Sequence, residues 1–532
     1  ALAAAAFGWA GKPADRPFIS RAVVRPQLVK PTSEVVVRAL GSLGIGQMNQ
    51  ALAKNPNAIG FPNEIARDET GQGWWVTVDL PYGVTAAEVI ERRERLAGAL
   101  TQPLGCVWPE GRPKVHPRRL VIYIGDQDMA TATQPAWPHA NAAKGVNLFE
   151  PVQIGTDPRG RPVTVTLMYV AAVIGAIPRM GKTFALRLLL LAAALDTRAE
   201  VHAFDLKGTG DFKPLAPVSH AYRAGDEDED IEYVMADLRE LHKVMRARTK
   251  VINGLPSNLC PENKVTDDLA SKKSLKLHPI VIGIDECQRL FEHAKHGEEA
   301  EAICEDLVKR GPATGIVLML ATQRPDSKSL PKGIADNAVL RLCMKVTGQV
   351  ANDMVLGTSQ YKQGVRATEF AFSDKGIAYL VGEGEVPQVV KTHFIKAPAA
   401  EAIAARARAM REAAGTLTGH AVGEQSAHAA APAFDLAADL LAAWPAGVKS
   451  AWNAELVDRL AELRPDAYGT WADMDEEHKT AQLTRSLRAC GAHELVKQIA
   501  RRDNTGKTVN RRGLHRTAIQ EFVTERNRKK GA

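Results

Sequence analysis

The chain has 532 residues, 45% of them hydrophobic, with 68 Lys and Arg against 61 Asp and Glu for a formal charge of +7. That length and composition exclude a disordered chain, supply sizeable cores and suggest about three or four domains; no apolar run reaches membrane-spanning length. The six cysteines, Cys106, Cys260, Cys287, Cys304, Cys343 and Cys490, form no C-x-x-C pair and no cluster with histidine, which predicts a reduced, intracellular chain without a zinc site.

The chain opens without an initiator Met on an Ala-rich stretch, so an upstream segment, a membrane anchor included, is compatible with the sequence. Residues 1–32 are irregular, with Pro13, Pro17, Pro26 and Pro31. Helical periodicity follows over 33–53, then a strand over 73–79, GWWVTVD. Thr85 and Glu88 form a T-A-A-E capping box that opens a helix over 86–101. Strands at 104–109 and 118–125 complete an N-terminal α+β domain, 1–135. Within it, adjacent Trp74 and Trp75 on one strand point to opposite faces, which favours one core and one interface residue over a ligand site.

Residues 136–412 carry α/β patterning. A hairpin over 155–170 leads into an apolar strand and then AVIGAIPRMGKT, 172–183. The turn ends in Gly-Lys-Thr and runs into a helix over 183–195. A phosphate tail needs backbone N–H groups pointed inward, and Gly181 lets the backbone come close. Lys182 supplies a point charge for β/γ-phosphates, and the Thr183 hydroxyl is placed to bind Mg²⁺. The usual loop, G-x-x-x-x-G-K-[ST], has glycine where this chain has Ala176; the glycine stands one residue earlier, at Gly175. Pro178 rigidifies the turn at the cost of one N–H. Gly175, Pro178, Arg179, Met180, Gly181, Lys182, Thr183 and Phe184 are therefore the candidate nucleotide-binding residues.

A strand over 201–208 places Asp205 and Lys207 at its C-terminal end, where open α/β sheets bind ligands. A helix over 229–251 shows a Val234, Leu238, Leu241, Met245 core stripe. IVIGIDE, 280–286, is a second buried strand ending in an acidic pair: Asp285 to hold the metal, Glu286 to orient and deprotonate the attacking water. GIVLMLATQRP, 315–325, is a third, with Gln323 placed to sense the γ-phosphate. A strand over 338–346 contains Arg341, and a hairpin over 376–395 closes the domain.

Residues 413–433, rich in Ala, Gly and His, read as a flexible linker. Helices at 434–444, 452–463 and 478–490, then a basic hairpin at 498–513, predict a winged-helix DNA-binding domain over 434–520. A basic tail, 521–532, follows. The third helix offers Lys479, Gln482, Arg485 and Arg488 to base edges; Arg501, Arg502 and Lys507 on the wing reach phosphates. Residues 501–532 hold ten Lys/Arg and three Asp/Glu, a net +7 that equals the excess of the whole chain. This end is the electrostatic candidate for nucleic acid.

IGAIPRMGKTFALRL, VHAFDLKG, IVIGIDE, KRGPATGIVLMLATQRP and IADNAVLRLCMKV occur in the order and spacing of the FtsK/SpoIIIE double-stranded DNA translocases. The chain resembles that family over residues 70–400, and IPRMGKT, KRGPATGI and GWWVTVDLPYGVTAAEVIERRERLAGAL most resemble its TraB-type septal conjugation proteins of actinomycete plasmids and integrative elements. The resemblance implies a RecA-like P-loop motor, a homo-hexamer, with ATP and Mg²⁺ between subunits and duplex DNA through the centre. It implies DNA transfer in conjugation at the cytoplasmic face of the membrane or septum, through membrane segments not in this chain. It also implies an arginine acting in trans, for which Arg310 and Arg341 are both candidates. Chromosome segregation by the same motor, nucleotide-dependent DNA binding without pumping, and a protein-secretion ATPase are the alternatives.

Overall fold

Apolar strands that alternate with helices can be buried on both faces only in a covered, largely parallel sheet, and the middle of the chain builds one. The computed structural model describes residues 30–424, 435–472, 474–489, 492–502 and 506–530. Residues 30–424 form one compact unit and 435–530 a second.

The first unit opens with two helices, Ser33–Gly41 and Gly46–Lys54, where the periodicity predicts one. Gly44 at φ +75° turns the chain between them. Most of the expected irregular segment, 1–29, lies outside the described residues. A four-stranded antiparallel sheet follows: β1 (Ala66–Arg67), β2 (Gly73–Asp79), β3 (Val107–Gly111) and β4 (Arg119–Gly125), in the order β1-β2-β4-β3. The capping box forms, with the Thr85 N–H donating to Glu88 Oε2 at 2.8 Å. Its helix stops at Ala86–Ile90, because Arg92 leaves helical geometry (φ −112°, ψ 28°), and a second helix runs over Arg93–Ala99. Trp74 packs with the core of this small sheet. Trp75, Trp108, Tyr123 and Met129 instead join the core of the large sheet, so packing runs across the expected boundary at 135.

The large sheet contains β5 (Pro151–Thr156), β6 (Pro162–Thr166), β7 (Ala172–Gly175), β8 (Glu200–Asp205), β9 (Ala221–Ala224), β10 (Ile280–Asp285), β11 (Ile316–Thr322), β12 (Leu340–Cys343), β13 (Ile377–Val381) and β14 (Gln388–Thr392). The order is β6-β5-β14-β13-β12-β7-β11-β10-β8-β9. From β12 to β9 all neighbours are parallel; from β13 to β6 they are antiparallel. The fold is thus mixed α/β around one parallel and antiparallel sheet. β11 lies between β7 and β10 and brings its C-terminal end between theirs.

Helix Lys182–Leu195 is apolar on nearly every side and buried. It is covered by a helix that the periodicity did not predict, Ala397–Ala414, through Ala400, Ile403, Ala404 and Ala407. Arg411 of that helix is 2% exposed and donates to the carbonyls of Ala193, Ala194, Asp196 and Ala199. It thereby satisfies the orphan acceptors at the end of helix Lys182–Leu195. Burial pulls its pKa down to about 10. The expected linker is corrected in part. Residues 413–414 finish a helix, Gly415 ends it at φ +61°, and the following segment returns to the sheet, where the His420 N–H donates to His220 O at 2.8 Å. Residues 425–433 of that linker lie outside the described residues.

The second unit contains helix Leu436–Ala442, β15 (Ser450–Trp452), helices Asn453–Leu463, Pro465–Ala472 and Glu476–Ala489, β16 (Lys497–Arg502), β17 (Thr508–His515) and helix Arg516–Lys530. Its antiparallel sheet has the order β15-β17-β16. Leu436, Leu440, Leu456, Leu460, Tyr468, Leu483, Leu487, Leu514 and Ile519 form its core. Two corrections arise here. Pro465 starts an extra helix, as proline does at a first helical position. The expected basic tail is helical as far as Lys530; Ala532, Gly531 and Cys490 lie outside the described residues.

Candidate nucleotide site

At the end of β7 the loop turns on two left-handed residues, Arg179 (φ +68°) and Gly181 (φ +105°). Gly181 caps helix Lys182–Leu195 from its N-terminal side. A Cβ on Gly181 would lie 3.3 Å from the Gly376 nitrogen, so the close backbone approach depends on glycine. The loop borders a cavity of about 600 Å³ lined by Pro178, Arg179, Gly181, Lys182, Thr183, Phe184 and Gln323, with Lys207, Lys375, Lys391 and His393 around it.

Two of the expected loop residues do not line it. Met180 is 1% exposed and packs into the core below the loop, its carbonyl accepting from the Gly376 N–H at 2.8 Å. Gly175 faces the helix Gln349–Leu356: a Cβ there would lie 2.2 Å from Val355 Cγ2. Its glycine therefore serves packing. Ala176, in the position where the usual loop has glycine, is fully buried and keeps a negative φ, so its methyl costs no strain.

The acidic strand meets the loop beneath this cavity. Lys182, Asp285 and Glu286 are 4%, 0% and 4% exposed. Lys182 Nζ contacts Asp285 Oδ1 and lies 3.1 Å from Glu286 Oε1. Thr183 Oγ1 donates to Asp285 Oδ2 at 2.5 Å. Gln323 Nε2 donates to Glu286 Oε1, and Gln288 Nε2 donates to Glu286 Oε2 at 2.5 Å. Gln288 is in turn held by the Thr322 hydroxyl at 3.0 Å. Glu286 sits at φ +56°, a costly conformation for a residue with a Cβ. Gln288 escaped the sequence reading; its signal is a polar residue two places after the acidic pair. The donor set of Thr183 hydroxyl and Asp285 carboxylate consists of hard oxygens, which suits Mg²⁺, and the glycine-cradled helix N-terminus suits phosphate.

Asp205 is buried at the end of β8 and accepts from the N–H groups of Gly210 (2.9 Å) and Lys207 (3.2 Å). Burial, with the nearby Asp285 charge, raises its pKa. Phe394 is 59% exposed and packs against Phe184 at the cavity rim, with ring centroids 4.8 Å apart and the planes tilted by 59°. Burial lowers the His393 pKa to about 4.

The two candidate arginines lie elsewhere in the chain. Arg310 ends helix Gly297–Arg310 just before β11 begins, at the sheet edge opposite the loop, and pairs with Asp306 at 3.1 Å. Arg341 lies within β12 beside Val173 and donates to the carbonyls of Ala338 (2.9 Å) and Asp336 (3.3 Å). Neither lines the cavity.

In the second unit, helix Glu476–Ala489 exposes Arg485 and Arg488, with Gln482 half-buried. Lys479 is held at 2.6 Å by Asp458. On the hairpin, Arg501 pairs with Glu455 at 2.7 Å and lies over the Trp452 ring, whereas Arg502 and Lys507 are exposed. Of the seven expected contacts, Lys479 and Arg501 are thus already engaged in ion pairs.

No protein-family model matches the chain, and no curated protein does. Solved structures similar in fold include the cytoplasmic domain of the Thermomonospora curvata type VII secretion ATPase EccC, 18% identical over 52% of this chain and 34% of that one, TM-score 0.42. This chain thus spans about a third of the length of that EccC chain. Others are the pCW3 conjugation coupling protein TcpA in a monomer form with ATPgS (16% identity, 70% of this chain and 99% of that chain, TM-score 0.44) and VirB4 of Thermoanaerobacter pseudethanolicus (14%, 49% and 99%, TM-score 0.29). No described helix is long and apolar enough to cross a membrane.

Proposed function

We propose that the chain is an ATP-hydrolysing motor of the FtsK/SpoIIIE type that moves duplex DNA. The observation that supports it is the convergence of Lys182, Thr183, Asp285, Glu286 and Gln323, from the segments at or just beyond the C-terminal ends of β7, β10 and β11, at one sheet edge. In this reading Lys182 and the N–H groups of the loop bind the β/γ-phosphates. Thr183 and Asp285 would hold Mg²⁺, which offsets phosphate charge. Glu286 accepts the proton of the attacking water, its two oxygens kept in place by the Gln288 and Gln323 amides. The Phe184–Phe394 pair offers the base an aromatic face.

The second unit fits a winged helix in element order, with helix Glu476–Ala489 presenting Arg485 and Arg488 to a groove and the β16–β17 hairpin as the wing. From the resemblance we infer a homo-hexamer around DNA, an arginine supplied in trans, and transfer of plasmid or integrative-element DNA, with membrane or septal attachment through other segments. ATP hydrolysis measured with and without duplex DNA tests the motor, and electron microscopy with an ATP analogue and duplex DNA tests the ring. Hydrolysis indifferent to DNA, with no ring on it, overturns the reading.

A further inference from the structure

The parallel strands have a second edge, opposite the nucleotide cavity, and histidines collect there. Glu200 and His202 lie two residues apart on β8 and so share one face. His220 immediately precedes β9, and His278 lies just before β10. His202 Nε2 is 3.0 Å from Glu200 Oε1; His220 Nδ1 is 3.9 Å and His278 Nε2 3.3 Å from Glu200 Oε2. One ligand atom from each of Glu200, His202 and His220 falls within 4.8 Å of the others.

The hydrogen bonding on the far side of His202 gives this cluster its meaning. His202 is 2% exposed, and its Nδ1 faces Asp237 Oδ2 at 2.8 Å. A carboxylate accepts, so Nδ1 carries the proton. In the neutral ring Nε2 is then a lone pair aimed at the lone pairs of Glu200. That contact is repulsive unless a second ring proton, which the Asp237 and Glu200 carboxylates favour, or a metal ion stands between them. A carboxylate behind an imidazole, fixing its tautomer and orientation, is also the usual support of a metal-bound histidine.

We propose that Glu200, His202 Nε2 and His220 Nδ1 bind one divalent transition-metal ion of the zinc class. Imidazole with a single carboxylate favours zinc and its neighbours over magnesium or calcium. His220 is partly exposed and gives the ion a path from solvent. Its Nδ1 meets Thr418 Oγ1 at 2.9 Å, a contact that the ion would replace, while its carbonyl accepts the His420 N–H, so the ion fastens β8 and β9 beside the segment 416–424. The role is a structural clip, separate from the nucleotide site and independent of the function proposed above.

The test uses the full chain, stripped with chelator and kept in excess Mg²⁺ so that hard-oxygen sites are saturated. Titration with Zn²⁺ is expected to show one tight equivalent. Co²⁺ in its place is expected to give visible absorption of four- or five-coordinate intensity. His220→Asn and Asp237→Asn should each weaken Zn²⁺ binding about tenfold or more, with circular dichroism confirming the fold. If a variant fails to fold, the parent chain still decides the matter. Absence of a tight Zn²⁺ equivalent, or Co²⁺ spectra of purely octahedral weakness, overturns the proposal and leaves a proton between His202 and Glu200. Unchanged binding in folded His220→Asn also overturns it.

Discussion

Gln323, the first residue beyond β11, donates its amide to Glu286, the first residue beyond β10, whose backbone is held at φ +56°. Two adjacent parallel strands thus share one carboxylate, and Gln288 fixes its other oxygen. Glu286→Gln is expected to keep nucleotide binding and to lower kcat by roughly 10²–10⁴, the usual worth of a positioned base. Lys182→Ala is expected to weaken nucleotide binding instead. Single-turnover hydrolysis alongside equilibrium binding separates the two; parental turnover by Glu286→Gln would remove Glu286 from the mechanism.

A methyl group at position 175 has no room. Gly175→Ala should overpack the contact with Val355 and destabilise the chain by about 1–3 kcal/mol, although the residue lies outside the cavity. Val355→Ala in the same chain should recover much of the loss. Denaturant melts of the single and double variants check this, and a double variant no better than the single one contradicts it.

The aromatic pair at the cavity rim should distinguish nucleotides from bare phosphate chains. Phe394→Ala is expected to reduce ATP affinity by roughly fivefold to tenfold, in line with an aromatic contact of about 1 kcal/mol. It should leave inorganic tripolyphosphate binding unchanged. Equal losses for both ligands would place the base elsewhere.

His393 gives a stability dependence on pH with a definite sign. Its folded pKa is about 4, below the ordinary value of 6.5, so between these values the unfolded chain binds the extra proton. Its contribution is therefore complete above pH 6.5 and is lost as pH falls toward 4. Urea melts at pH 7 and pH 5 should show a smaller drop for His393→Asn than for the parent. An identical drop would assign the dependence to other groups.

Arg485 and Arg488 are exposed on one helix, whereas Arg501 is already paired with Glu455. Replacing Arg485 and Arg488 by Ala should reduce discrimination between specific and random duplexes, and Arg502→Ala should weaken binding to all duplexes alike. Arg501→Ala should change DNA affinity less than Arg502→Ala, because its charge is already compensated. Competition titrations at several salt concentrations measure all three. A chain ending at residue 424 that retains sequence preference would contradict the assignment of DNA reading to the second unit.

That the loop, the acidic pair and Gln323 stand at strand ends was legible because each is a short polar interruption at the end of an apolar strand. The strand order was not legible. Parallel neighbours are set by crossovers and tertiary packing, and nothing local in VHAFDLKG says that β8 lies three places from β7. Helix Ala397–Ala414 was missed because its buried face is mostly alanine, which gives little contrast between inner and outer sides. Gly175 resembled a phosphate-loop glycine, but a close approach to Val355 demands glycine as strictly as a phosphate does. The histidine cluster gave no signal, since its members stand at 200, 202, 220 and 278 and meet only when three strands align.

Helix Lys182–Leu195 is gripped at both ends: Lys182 is held by two carboxylates at one, and Arg411 collects the carbonyls around the other. Fourteen residues at 1.5 Å each make a rod of roughly 21 Å. Sliding this rod along its axis would break contacts at both ends at once, so the loop end and the Arg411 end hold a common register.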